Sequence, residues 1–202
     1  GGERLYAIEG SVFVAGSMVK WLRDAMGWIG SAADTERIAR ATDSGGVTMV
    51  PALAGLGAPH WRPEAKAAIV GLTLGTTSDQ IVRAAMESIA HQCSDLQGAF
   101  AADGADWETV RIDGGMAAND WLAQDLADIL QRPVERPTDV ECTARGAAML
   151  AAVGAGIYPA LNDAGAMLPA IERFEPAMPA ATREARLAVW RTALAIVLGG
   201  AK

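Results

Sequence analysis

Apolar residues fall into two rhythms along the 202-residue chain. Short continuous runs have the character of buried strands, and spacings of three and four place one face of a helix in a core. Residues 5–11 read as a short strand. Val14, Met18, Trp21, Leu22 and Ala25 then predict an amphipathic helix over residues 12–28, ended near Gly27 and Gly30. Asp34, with Arg37 three residues on and Ile38 beyond, marks a second short helix before the Asp43-Ser44-Gly45-Gly46 turn. Residues 47–53 and 67–72 are apolar runs that fit buried strands. Between them, residues 54–63 are too rich in Gly and Pro for regular structure, and Trp61 reads as the anchor of that stretch.

Ser78-Asp79 can cap a long helix whose apolar side carries Ile81, Val82, Ala85, Met86, Ile89 and Ala90 and runs on towards Phe100. A loop at residues 103–106 leads into a strand at 109–112, which ends on Asp113-Gly114-Gly115. The helix that follows carries Trp121, Leu122, Asp125, Leu126, Ile129 and Leu130, with Asn119 one turn inside it. Residues 132–136 fit an edge strand between two prolines. Residues 143–153 form an Ala- and Gly-rich helix whose small side chains would let it pack closely on a neighbour. A loop-rich segment at 159–179 precedes a last amphipathic helix at 183–198. Strands alternating with helices imply parallel pairs and covering helices, so the class is α/β, in one domain over residues 1–202 with no internal repeat.

Composition narrows the function. About half the residues are apolar, enough to bury a core as one compact unit. Seventeen basic and 24 acidic residues give a net charge of -7, and the basic ones are scattered, which argues against nucleic acid as a partner. The two cysteines, Cys93 and Cys142, lie far apart with no metal-ligand spacing, so a reduced, cytoplasmic setting with both as small core residues is the simplest reading. The start shows no basic-then-apolar signal pattern. The apolar stretches are broken before the roughly 18–20 residues a bilayer span needs, so a soluble protein is expected, with no membrane partner.

The most informative local feature is the strand that ends on Asp113-Gly114-Gly115 and opens into Met116-Ala117-Ala118-Asn119. Ligands of α/β sheets bind at the carboxyl ends of strands, where glycines let the backbone approach them, and helix-start N–H groups favour phosphate. Asn119 offers both a donor and an acceptor to a base or ribose. Taken alone, Gly-Gly at such a turn is weak evidence and reads more readily as a purely structural tight turn.

Five stretches carry a family resemblance, in order, across about the first 160 residues. They are Tyr6-Ala7-Ile8-Glu9-Gly10 through Gly16, Val50-Pro51-Ala52-Leu53-Ala54-Gly55-Leu56-Gly57-Ala58-Pro59-His60-Trp61, and residues 67–87 with Gly71-Leu72-Thr73 and Ala84-Ala85-Met86-Glu87. The other two are Asp113-Gly114-Gly115 through Asn119 and Thr143-Ala144-Arg145-Gly146-Ala147-Ala148. The chain resembles the FGGY group of carbohydrate kinases, and within it the glycerol-phosphorylating branch.

That resemblance implies an actin/Hsp70-ATPase-like (ribonuclease H-like) fold, a mixed sheet with helices on both faces, here lacking its opening strands and the N-terminal substrate domain. It implies ATP or ADP with Mg2+ in an interdomain cleft, glycerol bound through the missing domain, and a homo-oligomer, dimer or tetramer, in the parent protein. Gly114, Gly115 and Asn119 would lie near the adenosine and α-phosphate, and Gly16 with Lys20 beside the adenine. Family members often carry a neutral Gln where Lys20 stands. No catalytic residue and no metal ligand is expected within this chain. The family's phosphate hairpin begins with an Asp before Gly-Thr-Thr, but Thr73 occupies that place in Thr73-Leu74-Gly75-Thr76-Thr77. The family's Asp-Gln base pair has no counterpart either, since Ser78-Asp79-Gln80 reads as a helix cap. Phosphoryl transfer needs positioning, a metal and a base, so this chain alone would bind nucleotide at best. Another FGGY kinase, for xylulose, ribulose or gluconate, and a non-catalytic nucleotide-binding or assembly module remain alternatives.

Other polar residues have plainer readings. His91 lies within a helix and reads as packing or surface, and His60 as a part of loop geometry. Glu87 fits a cap, a buried hydrogen bond or an interdomain contact better than a general base. Asp113 either ties its turn or meets metal-bound water. Glu141 is explained by the positive end of the helix it opens.

Overall fold

The structure is a computed structural model and describes residues 6–199. Its centre is α3 (Ser78–Ala102), a helix of 25 residues and so about 37 Å long. The predicted three-and-four spacing holds: Val82, Ala85, Met86, Ile89 and Ala90 are all buried. The cap lies one residue earlier than expected. Thr77 accepts from the Gln80 N–H while the Gln80 side chain accepts from the Thr77 N–H. This capping box satisfies two backbone donors together, and Ser78 has no such partner three residues on.

Around α3 pack α2 (Asp34–Ala41), β1 (Thr48–Val50), α4 (Asp120–Leu130) and α6 (Ala180–Val197). β1 is buried at all three positions because α3 and α6 both contact it, which is why the sequence there is apolar apart from Thr48. It pairs antiparallel with β2 (Ala68–Val70). A second sheet has the order β3 (Val110–Arg111), β4 (Val134–Pro137), β5 (Ile171–Phe174), parallel between the first two and antiparallel between the last two. The strand expected at an edge is therefore the central one. Its partner β5 lies in the segment expected to be loop, and Arg136 of β4 reaches Glu172 of β5 across the ladder. Val134 and Arg136 are the buried positions of β4, and α4 packs against this strand.

Four other expectations need correcting. The helix predicted over residues 12–28 is α1 (Gly16–Asp24). Leu5 lies outside the described residues, and residues 6–11 form no strand, with Tyr6 exposed to solvent. Trp61 anchors nothing, being 64% exposed. What closes that loop is Gly55, at φ +84°, where an added Cβ would fall 2.5 Å from the Pro63 carbonyl oxygen, and a mutual backbone pair between Leu56 and Arg62. Finally, α5 (Cys142–Gly154) buries none of its residues. It packs on the 3-10 turn Asp163–Met167, where Arg145 donates to the Met167 carbonyl at 2.9 Å, and Leu150 stands exposed.

Both cysteines are free. Cys93 packs against the main core, but Cys142 is the half-buried first residue of α5 and not a core residue. No helix among the described residues is long and apolar enough to cross a membrane.

Candidate functional site

α1, α2 and the turn before α4 enclose a cavity of about 690 Å3. Gly16, Val19, Lys20 and Arg23 of α1 form one wall, Thr35 and Glu36 of α2 another, and Gly115, Met116, Ala118 and Asn119 the third. Two segments about a hundred residues apart in the chain thus meet at one hollow. On the α1 wall a Cβ at Gly16 would make ordinary contact with the Met116 sulfur at 3.6 Å, so α1 and the turn before α4 lie within packing distance there. A Cβ on Gly115 would meet no atom within 4 Å, so the space beyond it is open.

The turn that leads there is built by Gly114. Its φ of +81° with ψ of 175° is a backbone state that L side chains rarely adopt. Its N–H donates to the Val140 carbonyl at 3.1 Å, which ties the turn to the loop before α5. Residues Gly115–Ala118 then form one 3-10 turn. Arg136 supports it from below: its Nη1 donates to the Ala117 carbonyl at 2.7 Å, its Nη2 pairs with Asp120 at 2.7 Å, and its guanidinium lies over the Phe174 ring.

Asn119 is not one turn inside a helix, as its spacing suggested, but the residue that caps α4. Its Oδ1 accepts from the Leu122 N–H at 2.9 Å, and its Nδ2 donates to the Thr35 hydroxyl at 3.2 Å. Glu36 fastens the same junction. One carboxylate oxygen accepts from the Asp120 N–H at 3.3 Å, and the other accepts from Arg40 at 2.7 Å. Two of the unpaired N–H groups at the start of α4 are therefore satisfied, one from its own cap and one from α2. Thr35 and Glu36 went unnoticed in the sequence. The Glu36–Arg40 pair at i,i+4 reads as a solvated helix face, and only the burial of Thr35 separates the two cases.

Of the residues singled out from the sequence, Gly16, Lys20, Gly115 and Asn119 border this cavity, and Gly114 sets the turn without bordering it. The others lie elsewhere. Asp113 lines a separate hollow of about 430 Å3 with Arg111, Glu135 and Cys142. There burial, and the Asp113 carboxylate next, hold the Cys142 thiol above its ordinary pKa. Glu87 pairs with Arg83 at 2.7 Å, and Arg83 also donates to the Thr42 carbonyl past the end of α2 and lies over Trp121. His91 is buried against Trp190. His60 Nε2 meets Asp95 at 3.1 Å, an oxygen that also accepts from Trp190 Nε1 at 3.0 Å. These contacts join the irregular loop to α3 and α6, a role in loop geometry. Among the described residues no three acidic, His or Cys side chains converge as a cation site.

Comparison with known proteins now bears on this site. The model of the FGGY family of carbohydrate kinases, C-terminal domain, matches residues 1–155. A glycerol kinase of Methylobacterium nodulans is 48% identical over 204 residues, covering 98% of this chain and 41% of that protein. One of Rhodospirillum rubrum is 51% identical over 191 residues, covering 94% and 39%. The chain thus spans about two fifths of the length of these curated relatives. Among solved structures, Plasmodium falciparum glycerol kinase with ADP superposes with a TM-score of 0.82 at 31% identity, over 93% of this chain and 38% of that one. A xylulose kinase of Lactobacillus acidophilus, with a TM-score of 0.71 at 22% identity over 93% of this chain and 38% of its own, shares the fold. The fold is therefore the actin/Hsp70-ATPase-like one of the sugar kinases, with the mixed sheet expected for it. Matched by that family model over most of its length, the chain belongs to the FGGY family of carbohydrate kinases, in the region of that family's C-terminal domain.

Proposed function

We propose that the chain forms the adenosine side of an ATP-dependent kinase cleft, and that the longer protein it represents phosphorylates glycerol to glycerol 3-phosphate. The observation that carries this reading is the meeting of Gly16 and Lys20 with Gly115 and Asn119 around one cavity. It has the open floor at Gly115 that close approach of a ligand requires. Lys20 places a cation on the α1 wall, while Arg23 beside it is paired with Asp24 at 2.7 Å. Mg2+ would arrive on the phosphate oxygens, since that ion keeps much of its water and takes few protein ligands. Glycerol is favoured over xylulose, ribulose and gluconate because the relatives near half identity are glycerol kinases.

Within the cavity no group is placed to activate a polyol hydroxyl. Among the described residues Glu36 is its only carboxylate, and both of its oxygens already accept hydrogen bonds within the protein. The base and the glycerol contacts would come from the part of the relatives that this chain does not span. The isolated chain then binds nucleotide without turning over substrate. A cytoplasmic homo-oligomer, dimer or tetramer, fits this reading of the whole protein.

The test is a chimaera in which this chain replaces the matching part of the Rhodospirillum rubrum relative. Glycerol-dependent release of ADP, lost in Gly115→Leu, is the expected result. A folded chimaera that releases no ADP with glycerol would overturn the reading of this chain as the adenosine side of a kinase cleft.

A non-catalytic assembly module is the second reading. It is favoured by α5, which buries no residue, and by exposed Leu150, Ile157 and Leu161 on and after it. Sedimentation of the isolated chain as a monomer up to about 100 μM, a concentration at which weak interfaces form, would remove it.

A further inference from the structure

A carboxamide has two acceptor lone pairs and two N–H donors, and which end faces which neighbour decides what remains for a ligand. At Asn119 both ends are engaged by the protein. Oδ1 takes the Leu122 N–H at 2.9 Å, and Nδ2 gives one hydrogen to Thr35 Oγ1 at 3.2 Å. The Thr35 hydroxyl has spent its own hydrogen on the Ala32 carbonyl at 2.6 Å, so it can only accept. An amide turned end for end would set two oxygens without a hydrogen against each other, and its NH2 against the Leu122 N–H. Thr35 thereby fixes the orientation of a side chain 84 residues away in the chain. It is itself fixed by burial, at 2% exposure. Both residues border the same cavity.

We propose that Thr35 is a positioning residue for the nucleotide site, locking the Asn119 carboxamide so that its one free N–H is held for a hydrogen-bond acceptor of the bound nucleotide. This rests on the nucleotide reading above and adds to it in two ways. It makes α2 part of the binding machinery, and it assigns the ligand atom opposite Asn119 Nδ2 as an acceptor, such as a ribose or phosphate oxygen or a ring nitrogen. The lock also couples two walls of the cavity, because α2 and the start of α4 share it with the Glu36–Asp120 bond.

Three variants separate the lock from plain packing. Thr35→Val keeps the shape and loses the acceptor, Thr35→Ser keeps the acceptor, and Asn119→Ser keeps a capping oxygen while removing the amide N–H groups. Two readouts are needed. Hydrogen exchange of the Asn119 side-chain amide, followed by 15N NMR without nucleotide, reports the lock. The dissociation constant for Mg-ADP, from calorimetry on the same chain, reports its use. In Thr35→Val the amide should exchange about tenfold faster and Mg-ADP should bind about three- to tenfold more weakly, as befits one hydrogen bond. Thr35→Ser should restore both. In the Asn119→Ser background, Thr35→Val should change the ADP constant by less than about twofold. Unchanged amide exchange in Thr35→Val would overturn the lock. An equal loss of ADP affinity in the Asn119→Ser background would show that Thr35 acts through α2 packing and not through Asn119. If the amide responds as described but the unsubstituted chain binds no Mg-ADP, the nucleotide reading fails and the lock stands as structure alone.

Discussion

Asp125 on α4 and Arg186 on α6 are joined by two hydrogen bonds, Nη1 to Oδ1 at 2.6 Å and Nη2 to Oδ2 at 3.0 Å. The carboxylate is 4% exposed, and Glu87 of α3 adds a second negative charge 3.9 Å from the same guanidinium. Three helices thus meet on one buried charge pair. Desolvation makes such a pair a small net contributor when intact and a large liability when half of it is removed. Asp125→Asn should therefore destabilise the chain by about 3 kcal/mol. The double variant Asp125→Asn/Arg186→Met should recover part of that loss, read as urea unfolding midpoints.

His91 predicts an acid-sensitive fold. It is buried on α3 against the Trp190 ring, with Arg186 3.5 Å from Nε2 and no partner for Nδ1. Burial first, and the Arg186 charge second, push its pKa down to about 3. In the unfolded chain the imidazole takes up a proton near pH 6.5, so between there and about pH 3 the unfolded state binds more protons. Its contribution is fully present above pH 6.5 and is lost as the pH falls, with a slope approaching about 1.4 kcal/mol per pH unit. His91→Phe removes the orphaned N–H and keeps a ring against Trp190. Unfolding free energies at pH 7 and pH 5 should differ less in the variant than in the unsubstituted chain.

The thiols should react unequally. Burial, then the Asp95 carboxylate, pushes Cys93 up to about 11, and it packs against the main core. Cys142 also sits above the ordinary thiol range but is only half-buried. Mass spectrometry after brief iodoacetamide treatment near pH 8 should find label slowly on Cys142, and on Cys93 only once urea has unfolded the chain.

Arg136 holds the floor of the cavity. It joins β4 to Asp120 and Glu172 and to the Ala117 carbonyl within the 3-10 turn. Asp120 and Glu172 are about half exposed and can be rehydrated when the cation is removed. Arg136→Met should accordingly cost only about 1–3 kcal/mol in thermal or urea unfolding, while increasing amide exchange at Ala117 and Ala118.

How far the sequence revealed this molecule depended on what holds each part. α3 was legible because its apolar side repeats without a break from Val82 to Ala90. Its cap was displaced by one residue because Thr76, Thr77 and Ser78 offer three hydroxyls in a row, and only the reciprocal bond with Gln80 chooses among them. The central position of β4 was hidden because its neighbour β5 reads Ile-Glu-Arg-Phe, with exposed positions held by the ion pairs Arg136–Glu172 and Arg173–Glu135 rather than by an apolar rhythm. At the cavity, Gly16, Lys20, Gly115 and Asn119 could be named through family resemblance. Thr35 could not, since its place depends on Asn119, 84 residues further along the chain, coming to it. α5 misled because the neighbour it packs on is only the short turn Asp163–Met167, which leaves none of its residues buried.

The central claim is that the hollow between α1, α2 and the start of α4 takes the adenosine end of a nucleotide. Calorimetric titration of Mg-ADP into the chain and into Gly115→Leu tests it most directly. The leucine would enter open space beside the 3-10 turn and leave the fold intact, as a thermal unfolding midpoint within about 2 °C would confirm. The account predicts saturable binding to the unsubstituted chain and at least about a tenfold loss in the variant, which is about 1.4 kcal/mol. Equal affinity in the two proteins would place the nucleotide elsewhere and contradict it.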